Sequence, residues 1–175
     1  MAMTQNSTAA YDIYGENSAG NAQYFTFSLN GEEYGVDILS VVEVKVWEEV
    51  TVLPDTPNCV KGVLNLRGTV VPIIDLRAYY EIESIEYTAA TVILVLKVDV
   101  AGKEQTIGLV VDAVSDVMNI NQAQIHGASE FDMISRRTDS ITGVATLDNK
   151  NIILLDASKI LTESQLGDLV KQYPM

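Results

Sequence analysis

This sequence predicts an all-β barrel or sandwich. Short apolar runs recur with turn signals about every 8–12 residues, the spacing of such folds. Helical periodicity is confined to two or three short stretches. The chain has 175 residues, 47% hydrophobic and 20% charged, enough for one domain with a real core.

Residues 24–29 alternate, with Phe25, Phe27 and Leu29 on one face and Thr26 and Ser28 on the other, as a strand does. Asn30-Gly31 is a strong hairpin signal, and residues 32–36 return as the partner strand. Asp37 is a natural N-cap, and Ile38, Val41 and Val42 share a helical face, so a short helix is expected over 37–44. Residues 46–52, with Trp47, read as a strand. Pro54 and Pro57 bracket a loop, and Pro57 is placed to start a helical turn through Lys61.

Residues 63–66 and 69–76 form a second hairpin. Pro72 marks its second run as an edge strand or a bulge. Residues 91–100 make the longest strand, and 106–111 return after a turn. Residues 92–96 and 106–111 are apolar on both faces, so each needs cover on both sides. One small barrel covers only one side; two packed barrels cover both. Residues 112–120 carry mixed strand and helix signals. Residues 122–138 read as loop, 140–147 and 151–155 as a strand pair, and Asp156 as the cap of a last helix. The count is nine or ten strands. An ordered domain is expected over 22–165, after a mobile tail at 1–21 rich in Ser, Asn, Ala and Gly, and before a tail or frayed helix at 166–175.

Composition narrows the function. The formal net charge of −13 disfavours nucleic acid and anionic membranes, whose phosphates need Lys and Arg, and favours partners with a basic patch. No apolar run nears the roughly 20 residues of a membrane helix, and no secretory signal pattern is present, so a cytoplasmic protein is expected. The single cysteine, Cys59, allows no internal disulfide and reads as buried filler. His126 is the only histidine, so histidine-based triads and metal sites lack parts. No phosphate loop is present, and Asp112 with Asp116 reads as a solvated acidic pair. Neither an enzyme nor a cofactor is expected.

The most pointed motif is Asn65-Leu66-Arg67-Gly68, set between two apolar strands. Gly68 can take the positive φ of a tight turn. An arginine there gains little structurally, while its planar fork suits a partner's carboxylates or carbonyls.

Several stretches together resemble the CheW family of bacterial chemotaxis adaptors. They are Phe25-Thr26-Phe27, Glu32-Glu33-Tyr34-Gly35-Val36-Asp37-Ile38-Leu39, Thr56-Pro57, Val60-Lys61-Gly62-Val63-Leu64-Asn65-Leu66-Arg67-Gly68, Val71-Pro72-Ile73-Ile74-Asp75-Leu76-Arg77 and Gly108-Leu109-Val110-Val111-Asp112-Ala113-Val114-Ser115-Asp116-Val117. The resemblance spans about residues 22–162. It implies two intertwined five-stranded SH3-like β-barrels with a few short helices. It also implies an adaptor, recruited to membrane-associated arrays, that joins the cytoplasmic helical tips of methyl-accepting chemoreceptors to the regulatory domain of the histidine kinase CheA.

Carried over from the family, receptor binding falls to Val41, Glu43, Lys61, Asn65, Arg67, Val92 and Val114, in a groove that uses the helix after the first hairpin. Kinase binding falls to Pro57 and Asn58. The chain departs from the family in a longer turn at 99–105, a long N-terminal tail, and Tyr79-Tyr80-Glu81 in place of a basic stretch. The alternatives are a paralogue serving another receptor–kinase system and an acidic β-barrel binding a small ligand.

Overall fold

The computed structural model describes residues 20–127 and 138–163; the expected tails at 1–21 and 166–175 lie outside them except for Gly20 and Asn21, and the first strand already begins at Asn21. Among the described residues, eleven strands form two sheets. The first two strands are β1 (Asn21–Leu29) and β2 (Glu32–Asp37). Then follow β3 (Val41–Val46), β4 (Val60–Leu66), β5 (Thr69–Asp75), β6 (Val92–Val100) and β7 (Lys103–Val111). The chain ends with β8 (Ala113–Asn121), β9 (Ile125–Gly127), β10 (Ile141–Leu147) and β11 (Lys150–Leu155). The described residues also hold two short helices, α1 (Leu76–Tyr79) and α2 (Ala157–Glu163).

The chain starts in one sheet, builds the whole of the other, and returns. The first sheet runs β8-β1-β2-β11-β10-β9 and the second β3-β6-β7-β5-β4. Parallel pairs β2–β11 and β5–β7 join strands far apart in sequence. The second sheet curls until its ends approach. Thr51, just past β3, exchanges two backbone bonds of 3.0 and 2.9 Å with Val63 on β4. The result is a pair of intertwined SH3-like barrels.

Four hairpins turn on two residues of positive φ: Asn30-Gly31, Arg67-Gly68, Ala101-Gly102 and Asp148-Asn149. This geometry matches the right-handed twist of the flanking strands. The turn expected over 99–105 is only Ala101-Gly102. Its ladder runs on to Val100 opposite Lys103, and the Gly102 N–H donates to Asp99 Oδ1 at 2.9 Å.

Other elements differ from the sequence reading. Asp37 caps as expected, accepting from the Leu39 N–H at 2.9 Å, but only a 3-10 turn over Ile38–Ser40 follows. Val41 onward is strand, because alternating β-branched residues favour a pleated surface over a helix. Residues 47–50 form no strand, and no helix starts at Pro57. Pro72 lies in an interior strand, opposite Val63. Val63 turns its own N–H and C=O toward Thr51, so this is a non-hydrogen-bonded pair and Pro72 owes β4 no donor. Pairing with β7 begins one residue later, at Ile73 opposite Gly108. Residues 112–120 resolve as β8, and part of the expected 122–138 loop forms a 3-10 turn and β9. The remainder of that loop lies outside the described residues.

Three clusters form the core. Leu64, Val71, Ile73, Ile93, Val95 and Val110 fill the second barrel, and Ile120, Ala145, Ile152 and Leu154 the first. The largest lies between the barrels and joins Phe27, Leu29 and Val36 to Leu94, Leu96, Ile107, Leu109 and Ile160. Alternate residues of β6 and β7 therefore enter different cores, as their two-sided apolarity requires. Tyr80 Oη and Ser140 Oγ, 2.8 Å apart, add a polar tie across the seam.

Gly108 shows how tightly the second barrel is filled. A Cβ there would stand 2.6 Å from Ile73 Cδ1 and 2.8 Å from Ile93 Cγ2. Gly108→Ala is expected to destabilise the protein by about 1–3 kcal/mol, the range for overpacked cores, measured as a lower urea midpoint with unchanged slope.

Candidate functional site

The Asn65-Leu66-Arg67-Gly68 turn is held by its own first residue: Asn65 Oδ1 accepts from the Gly68 N–H at 2.8 Å. Arg67 sits at φ 52°, a left-handed conformation unusual for a side chain with a Cβ. Its guanidinium reaches β3, with Nη2 donating to Glu43 Oε1 at 3.1 Å and Nη1 to Oε2 at 3.5 Å. The Arg67 side chain remains 74% exposed. An exposed pair of this kind contributes only about 0–1 kcal/mol to stability.

Register places an apolar surface at the end of the inter-barrel seam. Val44 lies opposite Leu94, and Val46 opposite Val92. Cross-strand partners share a face, so both valines point to the side of the inter-barrel core. Both are nonetheless exposed, Val46 at 67%. On the other barrel, Val117 lies opposite Phe25 and Val114 opposite Phe27, which belongs to that same core. These two valines are exposed as well.

Residues three apart on a regular strand face opposite ways. Val114 and Val117 share a face because the β1–β8 register shifts between Phe25 and Phe27. Buried Thr26 fills the bulge, its hydroxyl donating to the Asp116 C=O and accepting from the Asp116 N–H, both at 3.0 Å. The i, i+3 spacing is also why residues 112–120 carry a helical signal in sequence.

Val46, Val92 and Val111 pair in one row, and Val114 follows three residues after Val111. That row spans two strand spacings, roughly 10 Å.

The named residues are thus partly gathered. Glu43 and Arg67 touch, and Val92, only 8% exposed, lies in the floor beside β3. Val114 stands on the opposite wall. Val41 is half-buried on β3, in a strand rather than the expected helix, and packs against the inter-barrel core. Lys61 belongs to another cluster. Its ammonium lies 5.3 Å from the Tyr87 ring centroid, and that ring packs edge-on against Trp47 at 4.5 Å. Tyr87 Oη donates to Asp75 Oδ2 at 2.6 Å, and burial together with that bond holds the phenol well above its usual range. Pro57 and Asn58 lie on the β3–β4 connection, where the Pro57 C=O accepts from the Val60 N–H at 2.9 Å. The helical reading of 37–44 hid Val44 and Val46; the alternation in Val42-Glu43-Val44-Lys45-Val46 carries the signal that finds them.

Asp112 is not half of a solvated acidic pair. Its carboxylate takes two bonds from Arg77, Nε to Oδ1 at 2.8 Å and Nη2 to Oδ2 at 2.7 Å, and a third from the Asn30 N–H at 2.8 Å. The Arg77 bonds hold its carboxyl below the usual carboxylate range, against the opposing effect of burial.

A second concavity, about 390 Å³, lies by the far end of β6, lined by residues that include Asp37, Lys97, Asp99 and Asp156. Its carboxylates are already engaged locally, Asp37 by the Leu39 N–H, Asp99 by the Gly102 N–H and Asp156 by Ser158. Among the described residues no group of three or more His, Cys, Asp or Glu is placed to hold a metal, and no helix is long and apolar enough to cross a membrane.

Two interlocked barrels with an apolar groove at their seam define a protein of the binding-scaffold class. The model of the CheW-like domain matches residues 23–165, and the chain belongs to the CheW family. It is 39% identical over 145 residues to the chemotaxis protein CheW of Klebsiella aerogenes, covering 83% of this chain and 84% of that one. To the chemotaxis protein CheW of Bacillus subtilis it is 31% identical over 136 residues, covering 77% and 83%. The crystal structure of the scaffolding protein TtCheW from Thermoanaerobacter tengcongensis superposes with a TM-score of 0.70 at 32% identity, covering 80% of this chain and 87% of that one.

Two outcomes are expected. Arg67→Gly relieves the left-handed strain while losing one exposed ion pair, so its unfolding free energy should stay within about 1 kcal/mol of wild type in urea. Asp112 has its pKa lowered by folding, so its contribution is present above the unfolded carboxylate range and is lost as pH falls through the folded value. The urea midpoint of wild type should therefore fall more steeply below about pH 4 than that of Asp112→Asn.

Proposed function

We propose that this protein is a non-catalytic chemotaxis adaptor. It joins the helical cytoplasmic tips of methyl-accepting chemoreceptors to the regulatory domain of the histidine kinase CheA, within membrane-associated arrays. The observation that carries the reading is the groove at the barrel seam: valine pairs on β3 and β8, a floor at Val92, and the Arg67–Glu43 pair between β3 and the β4–β5 turn. Its walls are apolar, so an amphipathic receptor helix laid between them would bury its apolar face. Arg67, exposed and only loosely held by Glu43, can exchange that partner for a receptor carboxylate or carbonyl and set register. Val41 and Val92 complete the groove, and Glu43, on the opposite face of β3, holds Arg67 at its rim, with Lys61 and Asn65 behind the turn. Pro57 and Asn58, on a separate loop, are assigned to the kinase. Holding kinase and receptor together raises their effective concentration, which needs no chemistry of the adaptor's own.

The test is ATP turnover by CheA with receptor membranes, with and without this protein. Wild type should activate strongly. Arg67→Glu and Val114→Glu should each weaken receptor binding by roughly 2–4 kcal/mol, the size of an interface hot spot, and activate little at matched concentration. Equal activation by all three would move the receptor site away from the groove.

A further inference from the structure

The groove has one wall on each barrel, so its opening depends on how the barrels are oriented. The core between them is apolar, and apolar attraction is non-directional. Besides the Tyr80–Ser140 tie, a directional contact at this junction is made by Asp112, the single residue between β7 and β8. Its carboxylate receives the Arg77 fork from α1 of the second barrel and the Asn30 N–H from the β1–β2 turn of the first. Its own N–H donates to the Ser28 C=O at 3.1 Å. Arg77 is itself fixed: it is 8% exposed, Nη1 donates to the Glu83 C=O at 2.6 Å, and its backbone N–H donates to Asp75 Oδ1 at 2.9 Å. Val114 follows two residues after Asp112. A bidentate fork constrains angle as well as distance.

We propose that the Arg77–Asp112 clamp sets the relative orientation of the two barrels and thereby the opening between the β3 and β8 walls, Arg77 acting as a positioning residue for the groove. Only the consequence for binding rests on the groove being the receptor site.

The test uses the full chain carrying C59A, with spin labels at E49C beyond β3 and N119C on β8, both exposed positions. Removing Arg77 alone would strand a partly buried carboxylate, so the main variant is R77M/D112N, which removes both charges and keeps an acceptor for Asn30. Its urea midpoint is expected near that of the labelled parent, while the label-to-label distance distribution broadens. Affinity for a helical fragment of a chemoreceptor tip should fall roughly tenfold, as when about a tenth of molecules hold the competent orientation. R77K, which retains one charged donor, should fall between. An unchanged distance distribution in the folded double variant overturns the proposal, whatever happens to binding. Should that variant fail to fold, Asp112→Asn is read by the same distance, and no broadening there overturns it. Val114→Glu separates the two readings. If it binds the fragment like wild type, the groove is not the receptor site, while the distances still decide the clamp.

Discussion

Everything in this architecture follows from two strands that are apolar on both faces. Val92, Leu94, Leu96 and Val98 of β6 point into the core between the barrels, while Ile93 and Val95 point into the second barrel. Ile107, Leu109 and Val111 of β7 divide from Val110 in the same way. Each such side chain gains about 1.5–3 kcal/mol by burial, so leaving one face of these strands in water would forfeit much of the fold's driving force. A second layer is therefore obligatory. The chain supplies it by opening and closing the first barrel around the second, with β11 returning to β2 in parallel.

The groove is what remains where that second layer ends. Sheet and core continue out to β3 and β8, each at the edge of its sheet, and valines facing the seam emerge into solvent. Thr26, buried and bonded twice to the Asp116 backbone, holds the bulge that turns Val114 and Val117 to one side. A strand of regular alternation would show only one of them there.

The two conspicuous arginines follow opposite electrostatic logics. Arg77 is buried and satisfied by a carboxylate and a carbonyl, so its charge is consumed by structure. Arg67 is exposed, strained at its φ and held by one pair in high dielectric. Residue type alone does not distinguish them; burial does. This is why the Val-Pro-Ile-Ile-Asp-Leu-Arg and Val-Val-Asp stretches serve the junction, while Asn-Leu-Arg-Gly serves the surface.

Much of this was legible in the sequence. Local rules settle most of the strands, the Asn30-Gly31 turn, the Asp37 and Asp156 caps and the need for two cores, because alternation, positive-φ residues and two-sided apolarity act over a few residues. The arginine turn was recognisable as a motif, while Val92 and Val114 came only with the family resemblance. Residues 37–46 were misread because Ile38, Val41 and Val42 satisfy a helical period by coincidence, and β-branching decided for strand only once β6 offered a partner. Residues 112–120 stayed ambiguous because a bulge imitates a helical spacing. Pro72 could sit in an interior strand because its missing donor faces a stretch where β7 pairing has not begun. Which carboxylate meets which arginine, and which valines reach the surface, depends on register and barrel orientation. Those are set by contacts between residues tens of positions apart, so only the tertiary structure decided them.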